Sequence, residues 1–231
     1  MADQLFLTIR QMSPNKPKLQ LALDNRDLQS ALSAVQSAHS AIDVIEVGTV
    51  LCVAEGMNAV RTMRTLYPSH TILADVRIIR AGGAIADMVF DAGANWVSVM
   101  GEAPLDTIKA ALQKAQEYGG EVQIEMGEGW TMDHARQWAQ MSIEQVIFHR
   151  SHEADQEVDE MWNERDFDQI RELTEMGLKV TVTGGITPAD VPLFKGIPIY
   201  IFIAGRAIRN ADDPLTAAQE FQEIIRQAYD S

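Results

Sequence analysis

The chain has 231 residues, 46% of them hydrophobic, which suits one large domain better than two independent cores. Its 19 Lys and Arg stand against 33 Asp and Glu, and the formal charge of −14 repels nucleic acid and anionic lipid, so neither is expected as a partner. No stretch is apolar for long enough to cross a bilayer, the first residues lack the apolar core of a secretory signal, and the single cysteine fits a cytoplasmic protein. That cysteine, Cys52, is read as a small apolar filler. The same negative field would repel an anionic substrate. Any phosphate site must therefore be built locally, from backbone N–H groups and one or two cations.

Residues 1–18 read as an N-terminal extension and 19–231 as a single domain. Within the domain, short β-branched runs recur in order: LQLALD (19–24), DVIEV (43–47), TILAD (71–75), NWVSV (95–99), EVQIEM (121–126), EQVIFH (144–149), KVTVT (179–183) and IYIFIA (199–204). Between them lie stretches of helical period, among them LQSALSAVQSA, MNAVRTMRTLY, PLDTIKAALQKAQEY and FDQIRELTEMG. Gly93, Gly119 and Gly177 stand where helices should stop before the next strand. Only the seventh interval, ITPADVPLFKGIP, is too short and Pro-rich for a full helix. Eight such units predict an α/β fold, a single (β/α)8 TIM barrel. A doubly wound open sheet is the alternative, because periodicity does not show closure.

Alternation along the strands sorts side chains into two faces. Leu19, Leu21 and Leu23 share one, suited to packing under helices, while Gln20, Ala22 and Asp24 share the other. The same parity turns Glu46, Asp75, Glu125, His149 and Thr183 inward. Any one strand-end carboxylate could simply face water and cap the next helix. Five ionisable groups ending strands on one face need another account, since an unpaired buried carboxylate costs several kcal/mol. Strand C-termini are where barrels build active sites. Glu46 and Asp75 end neighbouring strands and could share a hard cation, with Mg2+ the expected cofactor; without clustered His or Cys, zinc is not expected. His149 is either structural or a proton donor. After the last two strands, TVTGGITPAD and IFIAGRAIRN offer Gly184, Gly185 and Gly205 for close approach to an anion and Arg206 as a cationic fork. Trp96, Trp130, Trp138 and Trp162 read as packing.

Together, ALDN, DVIEVGTVLCVAEG, LADVRIIRAG, VQIEMGEGW, FHRS and KVTVTGGITPADVPLFKGIPIYIFIAGRAI resemble the 3-keto-L-gulonate 6-phosphate decarboxylases. These belong to the orotidine 5′-monophosphate decarboxylase superfamily, alongside hexulose-6-phosphate synthase. The resemblance spans about residues 19–229. It implies a Mg2+-dependent homodimeric barrel that decarboxylates a phosphosugar in L-ascorbate catabolism, with active sites near the dimer interface. It implies Glu46 and Asp75 as metal ligands and Asp24, Glu125 and Thr183 as groups shaping the substrate site. It further implies Gly185, Gly205 and Arg206 as the phosphate grip, and His149 as a group that protonates the intermediate. The superfamily signature Asp-x-Lys-x-x-Asp reads here Asp75-Val76-Arg77-Ile78-Ile79-Arg80, and a position after FHRS that is usually arginine is His152. Arg77 keeps the charge of the family lysine as a planar fork that does not give up its proton near neutrality. An aldolase of the hexulose-6-phosphate synthase type, or a phosphosugar-binding homologue with weakened catalysis, are the alternative expectations.

Overall fold

The computed structural model describes residues 16–150 and 162–230. Eight parallel strands pair in sequence order, and β1 (Lys18–Leu23) also pairs with β8 (Ile199–Ala204), which closes the barrel and rules out the open sheet. The others are β2 (Val44–Val47), β3 (Thr71–Ile78), β4 (Trp96–Met100), β5 (Glu121–Met126), β6 (Gln145–His149) and β7 (Lys179–Thr183). Around them run α1 (Leu28–Ala38), α2 (Thr49–Glu55), α3 (Met57–Leu66), α4 (Gly82–Asp91) and α5 (Leu105–Tyr118). The ring is completed by α6 (Met132–Gln140), α7 (Glu164–Glu175), the short α8 (Arg206–Arg209) and α9 (Pro214–Tyr229). As expected from its composition, the seventh interval holds only a 3-10 turn, Val191–Phe194. No helix among the described residues is long and apolar enough to cross a membrane. The expected extension begins outside the described residues, and β1 takes up its last residue, Lys18.

Strand alternation produces two separate apolar clusters. The outer one packs Leu19, Leu21 and Leu23 with their counterparts on every strand against the helices. The inner one is small: Ala22, Val44, Leu73, Trp96, Ile147, Ile201 and Ile203. Gln20, Ser98, Gln123, Gln145 and Thr181, which share the inward parity, are also fully buried. Side-chain amides link part of this layer, with Gln123 Nε2 donating to Gln145 Oε1 at 2.6 Å. Of the four tryptophans, Trp96, Trp138 and Trp162 are buried and Trp130 packs against the outer cluster, so the packing assignment holds.

One departure from the expected strands positions the site. The third strand runs to Ile78 rather than stopping at Asp75, and its pairing with β4 slips. Ala74 pairs with Val97 and Ile78 with Val99, so Asp75, Val76 and Arg77 stand opposite Ser98 alone. Such a bulge re-aims side chains at a barrel rim. Its strain is visible at Arg77, whose φ of 49° lies in the left-handed region that a non-glycine residue rarely adopts.

The outer cluster carries most of the burial, so Leu21→Ala is expected to cost about 2–5 kcal/mol by leaving a cavity beneath the helices. Gln36→Ala, on the exposed face of α1, should stay within about 0.5 kcal/mol. Urea unfolding of the two variants measures the contrast.

Candidate active site

Asp24, Glu46, Asp75, Arg77, Glu125, His149 and Thr183 line one cavity at the C-terminal mouth of the barrel, floored by Ala22, Ile147 and Ile203. All but Arg77 are inward groups that the alternation predicts; Arg77 entered only through the family resemblance, since the third strand was expected to end at Asp75. A second cavity of about 640 Å3 shares Asp24, His149, Thr183 and Ile203 with the first, and is completed by Gly184, Gly185, Gly205 and Arg206. The carboxylate cluster and the glycine cradle are therefore two parts of one mouth.

Burial and the neighbouring Asp75 carboxylate push the Glu46 carboxyl well above the ordinary range, against the hydrogen bond from Gln20. Gln20 Nε2 donates to Glu46 Oε2 at 2.6 Å, while Gln20 Oε1 has no partner among the described residues. No cation pairs with Glu46 among the described residues. Asp75 is better held. Its Oδ1 accepts from Ser98 Oγ at 2.7 Å, and its Oδ2 accepts from Thr49 Oγ1 at 2.7 Å and from Arg77 Nε at 3.3 Å.

Arg77 lies across the mouth. Besides Asp75, it reaches Glu125 through Nη2, 3.0 Å from Oε1. Burial works to lower the Arg77 pKa, but the facing carboxylates of Asp75 and Glu125 prevail and raise it. Glu125 is pushed up to about 7, first by burial, then by Asp75, with Arg77 opposing. Glu125 can therefore exchange a proton near neutrality and Arg77 cannot. The His149 Nδ1 lies 2.7 Å from the Arg150 carbonyl, which can only accept, so the proton sits on Nδ1.

In the cradle, Gly184 (φ 112°) and Gly185 (φ 74°) both adopt backbone that a side chain would strain. At Gly184 a Cβ would also sit 2.8 Å from the Arg150 backbone oxygen, so part of its requirement is packing against the residue that follows β6. Arg206 is exposed at the rim, while Arg209, which the motif reading passed over, is half-buried beside it. Arg80 is exposed and lines neither cavity, and His152 lies outside the described residues. Reading strands by parity also missed Gln20 as a partner of Glu46, and Thr49 and Ser98 as partners of Asp75. Gln20 and Ser98 were legible as inward polar residues; Thr49 follows β2 and gave no signal. Cys52, the expected filler, packs against the outer cluster; burial, then Asp75 and Glu46, push its thiol up to about 12.

Glu46 and Asp75 offer hard oxygen ligands to a divalent ion, and a buried carboxylate without a cation suits that use. Among the described residues no three His, Cys, Asp or Glu groups come together closely enough to form a complete cage, so substrate or water oxygens would have to finish the coordination.

A closed parallel barrel with a cluster of ionisable groups and a glycine-rich, arginine-bearing rim at one mouth has the layout of a barrel enzyme. Residues 17–221 match the orotidine 5′-phosphate decarboxylase / HUMPS family. The chain is 47% identical over 213 residues to the 3-keto-L-gulonate-6-phosphate decarboxylase UlaD of Salmonella paratyphi B, covering 92% of this chain and 98% of that protein. A ligand-bound crystal structure of KGPDC from Streptococcus mutans superposes with a TM-score of 0.90 at 37% identity, covering 93% of this chain and all of that one. The 3-hexulose-6-phosphate synthase of Salmonella typhimurium gives 0.83 at 28% identity, covering 91% and 99%. The chain belongs to the orotidine 5′-phosphate decarboxylase / HUMPS family and is an enzyme of the carboxy-lyase class.

Ser98 Oγ joins the two halves of the β3 bulge, accepting from Arg77 N at 2.8 Å and donating to Asp75. Ser98→Ala orphans both, so a loss of about 1–3 kcal/mol in unfolding free energy is expected, with a larger fall in kcat than in substrate affinity. Ser98→Thr, which keeps the hydroxyl, should recover most of the kcat; steady-state kinetics with urea unfolding reads both.

Proposed function

We propose that the chain decarboxylates 3-keto-L-gulonate 6-phosphate to L-xylulose 5-phosphate and CO2, with Mg2+ as cofactor, in L-ascorbate catabolism. The observation that carries this reading is the joining of the Glu46, Asp75, Arg77, Glu125 and His149 cluster to the Gly185, Gly205 and Arg206 cradle in one mouth. It is supported by the names of the relatives, since a protein 47% identical over nearly its whole length is a decarboxylase for this substrate.

The substrate is a β-keto acid. Its carboxylate leaves as CO2, and the electron pair of the broken C–C bond passes to the keto oxygen, giving an enediolate. Glu46 and Asp75 would hold the divalent ion, which when bound supplies Lewis-acid stabilisation of negative oxygen. Arg77, fixed by Asp75 and Glu125, sets a permanent positive charge beside the carbon skeleton where negative charge develops. His149, protonated at Nε2 as well as at Nδ1, then gives the Nε2 proton to carbon and is left neutral, its ring held through Nδ1 by the Arg150 carbonyl. Asp24 and Thr183 orient the sugar hydroxyls, and Gly184, Gly185, Gly205 and Arg206 take the phosphate. In this division of labour the arginine replacing the family lysine acts as an electrostatic stabiliser only.

The homodimer belongs to the same reading. Val50 and Val53 on α2, Ile79 after β3, Met88 on α4 and Leu105 on α5 are large exposed apolar residues on elements that follow three consecutive strands. Light scattering should give twice the mass of one chain.

The deciding experiment measures CO2 release from 3-keto-L-gulonate 6-phosphate, beside condensation of formaldehyde with a pentulose 5-phosphate. CO2 release that chelator abolishes and Mg2+ restores is the expected result. Formaldehyde condensation without CO2 release would establish the aldolase, and binding without turnover a phosphosugar-binding homologue. The double variant Arg77→Lys with Arg80→Asp should leave Mg2+ and phosphosugar affinity largely as they are and change kcat; loss of phosphosugar binding would refute the separation of roles.

A further inference from the structure

The sugar end and the phosphate end of the mouth meet at Asp24, which borders both cavities. Asp24 follows the last residue of β1 and is half-buried, so its carboxylate needs something to hold its direction. On one side it abuts Gly48, where any Cβ would overlap Asp24 Oδ1. On the other lies Arg209, the last residue of α8, with Nη1 3.5 Å from Asp24 Oδ2. The same Nη1 donates to the Ala22 carbonyl at 3.2 Å. One guanidinium nitrogen thus reaches both the Ala22 carbonyl within β1 and the Asp24 carboxylate just beyond its end.

Arg209 also faces the cradle. It lines the second cavity with Gly184, Gly185, Gly205 and Arg206. A Cβ on Gly205 would sit 3.2 Å from Nη1, so the glycine leaves room for the guanidinium beside the turn. The side chain of Arg209 is 15% exposed, whereas Arg206 is exposed to solvent. A guanidinium carries five N–H donors. Both of the Arg209 contacts use Nη1, and Nε and Nη2 have no partner among the described residues. In a chain of formal charge −14, a half-buried cation with spare donors in an anion cradle contributes more to phosphate binding than a solvated one.

We propose that Arg209 is a positioning residue that couples phosphate binding to the placement of Asp24, donating to the phosphate through Nε and Nη2 while Nη1 keeps the Asp24 carboxylate aimed at the sugar. The proposal rests on the phosphosugar reading of the site. A purely structural role, stapling α8 to β1 through the Ala22 carbonyl, makes a different forecast. A staple changes melting temperature and leaves ligand affinity and Asp24 alone.

The test uses the full chain with D-ribose 5-phosphate as the binding probe, read by calorimetry, and melting temperature recorded for every variant. Arg209→Gln is expected to weaken binding about tenfold or more, as for a lost hydrogen bond to a charged group. Arg206→Gln should weaken it less. In a double-mutant cycle, Asp24→Asn should cost less affinity in the Arg209→Gln background than in the wild type, because Asp24 is then already loose. If Arg209→Gln does not fold, Arg209→Lys replaces it: the retained charge should preserve most of the probe affinity, while the lost fork lowers kcat for CO2 release. A folded Arg209→Gln with unchanged probe affinity, additive Asp24 and Arg209 effects, or an Arg209→Lys with wild-type kcat would each overturn the proposal. Because the binding arms need no turnover, a wild-type chain that binds the probe but releases no CO2 would refute the decarboxylase reading and leave the role of Arg209 still decided by the cycle.

Discussion

Three carboxylates, Glu46, Asp75 and Glu125, are buried together at the mouth of the barrel, and much of the surrounding structure answers the cost of keeping them there. Gln20 donates to Glu46, Thr49 and Ser98 donate to Asp75, and Arg77 spans Asp75 and Glu125. Closure of the sheet makes this possible. Each strand pairs with a neighbour on both sides, so no strand can slip by one residue without exchanging its inward and outward side chains. The apolar shell under the helices therefore holds the polar mouth in register.

Charge explains why cations cluster where they do. In a chain with an excess of 14 negative charges, the mouth of the barrel nevertheless gathers three arginines: Arg77 across the carboxylates, and Arg206 and Arg209 beside the glycine turns. Arginine suits both places because its fork reaches two acceptors at once. At Arg77 those acceptors come from β3 and β5, on either side of β4, and the bulge that lets it reach them costs backbone strain at that residue. A lysine at the same position would present one point charge to two carboxylates.

Much of the site was legible because strand parity is a local property. Once LQLALD, DVIEV, TILAD, EVQIEM and EQVIFH are read as strands, the inward placement of Asp24, Glu46, Asp75, Glu125 and His149 follows from a period of two. The groups that steady these residues were less legible. Ser98 and Gln20 are inward polar residues like several others, and only the pairing of neighbouring strands shows which acid each one meets. Thr49 lies beyond β2, where alternation has ended. Arg209 carried no motif signal, since its contact with Asp24 joins α8 to the end of β1 across almost the whole chain.

What the sequence determined by itself was the repeating unit, the two faces of each strand and the chemical types gathered at strand ends, because these depend on near neighbours in the chain. Closure of the sheet, the three-against-one bulge between β3 and β4, and the reach of Arg77 and Arg209 were decided only in three dimensions. Each depends on the register between segments distant in sequence, and register is set by the packing of the whole ring rather than by any one strand.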